Sequence, residues 1–241
     1  NLNTGEVQSV EALIRWQHPH RGLLPPVEFI PLAEESGRIT DIGRWVVMAA
    51  CRQLAAWKGT PQEGLRIAVN LSGRELDDED LVDHVREALA AENVPADRLE
   101  VELTEEIFVQ NIEHNLNQLS RLHKLGVHLA IDDFGVGYSS LGYLRDFPVD
   151  LLKIDRSFIT EVTERHDDAV ITRAVINLAH NLGIKVVGEG VETEEQLHFL
   201  KTHSCNFAQG YLISRPVPVA DLEQALANGT LVACITVDSG L

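Results

Sequence analysis

Five short apolar runs, at 66–70, 99–102, 128–133, 151–155 and 185–189, each end on a carboxylate or its amide: Asn70, Glu102, Asp132-Asp133, Asp155 and Glu189. Acids gathered at equivalent ends of buried strands repel one another unless a cation lies among them, and a divalent metal ion is the simplest such cation. Glu11, in the strand-like run from 7 to 16, adds a sixth polar position, and Leu13 and Arg15 share its face because strand side chains alternate with period two. That face offers Glu11 to a metal and Arg15 to an anionic ligand. Carboxylate and amide oxygens favour Mg²⁺ or Mn²⁺ over zinc, and the ten histidines form no HExxH or HxxEH pattern.

The sharpest local signal is Asp132-Asp133-Phe134-Gly135-Val136-Gly137-Tyr138-Ser139-Ser140. Two adjacent acids point different ways and can serve two ions, the first bridging them, and the glycines let the following loop approach a ligand closely. A dinucleotide-binding fingerprint would need a third glycine, and the two acids would repel a bare pyrophosphate. Lys153 is out of character in its apolar run; a buried lysine is costly unless paired, so it either neutralises the acids or acts on a water at the metal. Glu189 can hold a metal or accept a proton, and Gln209, in Gln209-Gly210-Tyr211, can orient a water. Glu192 reads equally as an acid at a helix start.

The final polar residues are spaced about one strand plus one helix apart, which calls for parallel strands joined by helical crossovers. Leu81-Val82-Val85-Leu89, Leu116-Leu119-Leu122-Leu125 before Gly126, and Val170-Ala174-Val175-Leu178-Leu182 before Gly183 supply the helical patterns. The expected architecture is an alternating β/α barrel with strand-end polar residues converging over an aliphatic barrel core. The competing reading is that each acid merely caps the helix that follows it, where the macrodipole favours negative charge.

At 241 residues, with 44% apolar and 5% aromatic residues, the chain suits one large aliphatic domain over 1–241. A formal charge of −17 argues against binding duplex nucleic acid through its backbone. No apolar stretch reaches the roughly 20 residues of a membrane helix, so no membrane contact is expected of this domain. Cys51, Cys205 and Cys234 are widely spaced without a CxxC, which reads as reduced cytoplasmic cysteines. Asn3-Thr4-Gly5-Glu6 has a hairpin-turn composition, yet only two residues precede it. The expectation is a domain excised from a longer protein, with a partner strand lost ahead of Asn1.

Taken in order, Glu11-Ala-Leu-Ile-Arg15, Val69-Asn70-Leu-Ser72, Glu102-Leu-Thr-Glu105, the Asp132-Asp133 motif, Leu152-Lys153-Ile-Asp155, Gly188-Glu189-Gly-Val-Glu192 and Gln209-Gly-Tyr211 resemble the EAL domain family of cyclic di-GMP-specific phosphodiesterases, from about Leu2 to Pro218. The resemblance implies an α/β fold, a modified TIM-type (β/α)8 barrel whose first strand is antiparallel, that strand being the piece missing or truncated at the N-terminus. It implies two ions, Mg²⁺ or Mn²⁺: one held by Glu11, Asn70, Glu102 and Asp132, the second by Asp132, Asp133 and Glu189. Lys153 and Glu189 would act on the attacking water, Gln209 would position it, and Glu105 would anchor the loop after Asp133. Arg15, Leu13, Asp155 and Glu192 would line the substrate.

The same resemblance implies hydrolysis of cyclic di-GMP to linear 5′-pGpG, a homodimer, and an upstream sensory or GGDEF-type domain in a cytoplasmic or membrane-anchored signalling protein. Val136 stands where the family often has Thr or Ala, and Gly188 replaces its usual Ala; neither removes a ligand. A catalytically silent cyclic di-GMP receptor is the alternative, and a metal-dependent barrel enzyme acting on carbon acids is the third reading.

Overall fold

The computed structural model describes residues 1–108, 111–137, 142–228 and 234–239. Each of the five apolar runs forms a strand. In chain order the elements are β1 (Ser9–His18), β2 (Gly22–Leu24), α1 (Ile30–Glu35), α2 (Ile39–Ala56), β3 (Arg66–Asn70), α3 (Gly73–Leu76), α4 (Leu81–Ala91), β4 (Leu99–Thr104), α5 (Ile112–Leu125) and β5 (His128–Phe134). They continue with β6 (Leu151–Ile154), α6 (Arg156–Thr160), α7 (His166–Asn181), β7 (Lys185–Gly188), α8 (Glu194–Thr202), β8 (Phe207–Ala208), β9 (Val217–Pro218), α9 (Val219–Ala227) and β10 (Cys234–Ser239).

One ten-stranded sheet runs β8-β7-β6-β5-β4-β3-β1-β10-β9, with β2 hanging off β1. Among the described strands only the β1–β2 pairing, Trp16 opposite Leu24, is antiparallel; the others are parallel, as helical crossovers require. The antiparallel exception thus falls at the first strand. The sheet is curled into a barrel: Gln209, just beyond β8, hydrogen-bonds Glu11 of β1 although five strands separate β8 from β1 in the sheet.

Period two sorts each strand's side chains between two compartments. Outward residues such as Ile67, Val69, Leu99, Val101, Leu129, Ile131, Leu152, Ile154 and Val186 pack under the helices in the main core. A leucine or isoleucine buried this fully contributes roughly 1.5–3 kcal/mol. The helices present matching faces, Leu81, Val82, Val85, Ala88 and Leu89 of α4 among them. Gly126 at φ +103° ends α5 and lets the chain turn directly into β5.

The inward compartment corrects the expected aliphatic barrel core. Among the described residues its buried apolar cluster is the small set Ala130, Leu151 and Val187, with Phe207 against it. Glu100, 2% exposed, lies one layer below Glu102, and Arg66 faces it at 3.4 Å. These side chains, with Ser9 and Ala68, line a cavity of about 150 Å³ that runs beneath the strand-end acids. Small side chains leave the interior underfilled, and Glu100, Arg66 and Ser9 put polar groups along an otherwise largely apolar lining.

Candidate metal centre

Lys153 organises the site. Its Nζ lies 2.8 Å from Glu102, 2.9 Å from Glu189, 3.0 Å from Asp132 and 3.9 Å from Glu11, so β1, β4, β5, β6 and the end of β7 meet at one ammonium. Asn70 and Gln209 each donate to Glu11 at 2.8 Å, one to each carboxylate oxygen. Asp132, Asp133 and Glu189 form a second grouping in which one oxygen from each lies within 4.8 Å of the others.

The electrostatics follow from the crowding. Burial disfavours the ammonium of Lys153, but Glu102, Glu11, Glu189 and Asp132 together raise its pKa well above the ordinary lysine value, so it stays charged. Burial, with Glu11, Asp132 and Glu100 adding to it, raises Glu102 well above the carboxylate range in spite of Lys153. Burial likewise pushes Glu189 up to about 7, against the pull of Lys153. Asp133 is raised by burial and by the neighbouring Asp132 and Asp155. Glu11 is the exception: burial would raise it, but Lys153 and the hydrogen bonds from Asn70 and Gln209 hold it low. One ammonium does not neutralise five clustered carboxylates. Their oxygens, with no histidine or sulfur among them, suit hard divalent cations, Mg²⁺ or Mn²⁺.

The helix-capping alternative applies at one strand end. Asp155 caps α6, accepting from the Ser157 amide at 3.0 Å, and after burial, which raises it, these bonds hold it low. The caps of α3 and α8 are instead Ser72 and Thr193, which leaves Asn70 and Glu189 free to turn inward. Glu192 is exposed one residue ahead of Thr193, the cap of α8.

Glu105, 3% exposed, accepts the Gly135 amide at 2.9 Å, and Gly137 sits against the same carboxyl. This anchors the loop after Asp133, itself at φ +53°. Ser139 and Ser140 of that loop lie outside the described residues. Leu13 and Arg15 follow Glu11 on the inward face of β1, half-buried, and Arg15 donates to the Ile14 carbonyl at 2.8 Å. Gly188 has a plain packing reason: a Cβ there would stand 2.5 Å from Leu200 Cδ1.

Sequence reasoning missed three features: the Glu100–Arg66 layer beneath the site, the packing of α6 on the segments just after Asp133 and Glu189, and, apart from the site, the buried Glu75 of α3. The alternation in Leu99-Glu100-Val101-Glu102 was the available signal for Glu100, since both glutamates fall on one face.

The fold and site together define a β/α-barrel protein with an acidic, lysine-centred cluster at the carboxyl ends of its strands. The EAL domain family profile matches residues 1–216, and the chain belongs to that family. It is 49% identical over 225 residues to the cyclic di-GMP phosphodiesterase NbdA of Pseudomonas aeruginosa, covering 93% of this chain and 29% of that one. To the bifunctional diguanylate cyclase/cyclic di-GMP phosphodiesterase MucR of the same organism it is 45% identical, over 93% of this chain and 32% of the other. The chain therefore spans about a third of the length of these curated relatives. Among solved structures, the PaMucR phosphodiesterase in complex with c-di-GMP superposes with a TM-score of 0.84 at 45% identity, over 88% of this chain and 86% of that one. The EAL enzyme Bd1971, in its cAMP- and cyclic-di-GMP-bound form, gives 0.88 at 30% identity, over 94% and 62%.

Proposed function

We propose that this domain hydrolyses cyclic di-GMP to linear 5′-pGpG with two divalent ions, Mg²⁺ or Mn²⁺. The observation that carries the reading is the convergence of Glu11, Glu102, Asp132 and Glu189 on Lys153 beside the Asp132-Asp133-Glu189 grouping. Glu11, Asn70, Glu102 and Asp132 would hold one ion, and Asp132, Asp133 and Glu189 the other. When bound, the pair activates a water and neutralises charge on the phosphoryl oxygens.

The side chains divide the remaining work. The charged Lys153 donates a hydrogen bond to the attacking water and so fixes its line of approach. Glu189, whose carboxylate stands 2.9 Å from Lys153, would accept the proton that this water loses. Arg15 receives the substrate phosphate by charge-assisted hydrogen bonds. Gln209 holds Glu11 in place through its 2.8 Å bond, and Glu105 sets the loop that presents Asp133. Phosphorus would gain the water oxygen and release the ribose 3′ oxygen, which takes a proton from solvent while Glu189 returns its own to solvent.

The names of NbdA and MucR support the substrate, and their greater length supports a role within a multidomain signalling protein with a sensory or GGDEF-type domain. The test is to incubate the protein with cyclic di-GMP and Mg²⁺ or Mn²⁺ and to separate the products by chromatography. A 5′-pGpG peak that vanishes with chelator supports hydrolysis; tight binding without turnover replaces it with a receptor.

A further inference from the structure

Asp133, near the end of β5, and Glu189, just after β7, reach the second grouping from different strand ends, and their oxygens are held within 4.8 Å of each other and of Asp132. Like charges at that spacing push the loops apart. Asp133 also sits at φ +53°, a conformation that persists in a non-glycine residue only where its surroundings enforce it. Something must brace both loops.

The short helix α6 touches both. Gly135, two residues after Asp133 and at φ +102°, lies against the Phe158 ring so closely that a Cβ would stand 2.8 Å from Cε2. Gly190, directly after Glu189 and at φ +66°, lies against Arg156, where a Cβ would come within 2.5 Å of the arginine Cβ. Both contacts are close approaches that only glycine permits. The far end of α6 is tied as well: buried Gln196 of α8 donates to the Thr160 carbonyl at 2.9 Å, while its Oε1 accepts the Glu192 and Thr193 amides at 2.7 and 3.0 Å. Ile159, fully buried, seats the helix in the main core.

We propose that α6 is a bracket setting the distance between the Asp133 and Glu189 loops, with Phe158 and Arg156 as positioning residues for the second ion. The inference rests on the two-ion reading above. Removing the Phe158 ring frees the Gly135 side of the bracket and leaves Glu11, Asn70 and Glu102 untouched, so the two ions should respond differently.

The experiment compares wild type, Phe158→Ala and Phe158→Leu by calorimetric titration with Mn²⁺ and, in metal-free protein, by amide hydrogen exchange over 133–136 and 189–191. Wild type should bind two ions. Phe158→Ala should lose at least about tenfold affinity for one of them, the lower range for removing a residue that supports a metal ligand. The other ion should bind as before, and exchange should quicken in both loops. Should Phe158→Ala lose its cooperative thermal transition, Phe158→Leu carries the test with a smaller loss at the same ion. Two unperturbed ions and unchanged exchange in the folded variants overturn the bracket. A wild type that binds no Mn²⁺ overturns the two-ion reading instead, and the exchange experiment then decides the bracket alone.

Discussion

The Lys153 ammonium stands 2.8 Å from the Glu102 carboxylate, and neither side chain is more than 3% exposed. A pair this deeply buried is a poor device for stability, since desolvation offsets much of its attraction, but removing one partner strands the other. Here the lysine also faces three further acids, so it serves as the charge counterweight around which the cluster is built.

Lys153 and Arg15 should fail differently. An interaction made only in the transition state lowers kcat, whereas one made equally in ground and transition states raises KM. Lys153→Ala is expected to bind cyclic di-GMP in the presence of metal yet turn it over at least roughly a hundredfold more slowly, the lower range for losing one preorganised hydrogen-bond donor. Arg15→Ala is expected chiefly to raise KM. Steady-state kinetics beside calorimetry on both variants checks this, and a near-normal kcat in Lys153→Ala would reduce the lysine to charge balance.

Asp132 lies 3.0 Å from Lys153 and also in the grouping with Asp133 and Glu189, so under the two-ion proposal one substitution there should damage both sites. Asp132→Asn removes a negative charge while keeping the shape, and turnover should fall by at least about a hundredfold, comparable to losing one preorganised electrostatic group. Mn²⁺ titration should show weakened binding at both sites. Wild-type turnover at saturating Mg²⁺ would rule out the bridging role.

Glu105→Ala should act through the loop. The Gly135 amide would lose its partner in partly buried surroundings, which costs about 1–3 kcal/mol. For a chain of this size that lowers the melting temperature by roughly 2–12 °C. Turnover and metal affinity should fall together through displacement of Asp133. A crystal structure of the variant with Gly135 and Gly137 unmoved would contradict this.

Glu75 gives a pH prediction remote from the cluster. Burial pushes its carboxyl up to about 7 against the hydrogen bonds from Ser72, and it packs against Gly43 of α2. The unfolded chain releases this proton from about pH 4.5, while the folded protein keeps it to about 7. The folded state therefore binds more protons within that window, and stability falls as pH rises from about 4.5 to 7, then levels. The loss is on the order of 3 kcal/mol, the shift taken at 1.36 kcal/mol per pKa unit. Glu75→Gln, which retains an oxygen to accept from Ser72, should flatten this part of the pH profile in denaturant unfolding and be the more stable protein at pH 8. An unchanged slope would show that Glu75 ionises freely.

Local pattern alone located the strands that carry the site and the polar residues at or within two residues of their carboxyl ends. Arg66–Asn70 forms a strand with the predicted bounds, and the runs ending at Glu102, Asp132, Asp155 and Glu189 form the others, because alternation and helical spacing are local properties of the chain. The motifs likewise carried the family, which the profile match over 1–216 bears out. Only the tertiary structure decided which strand-end groups meet. Asp155 caps α6 while staying beside Asp133, and Glu11 and Gln209, 198 residues apart, bond across the closed barrel. Nor does local pattern reveal that the barrel interior is underfilled and holds Glu100 paired to Arg66, or that Phe158 and Arg156 each press on a glycine beside a metal-ligand candidate. Those relationships depend on where the sheet curls and how closely a helix approaches two loops, and close approach is fixed by the packing of the whole molecule rather than by any run of neighbouring residues.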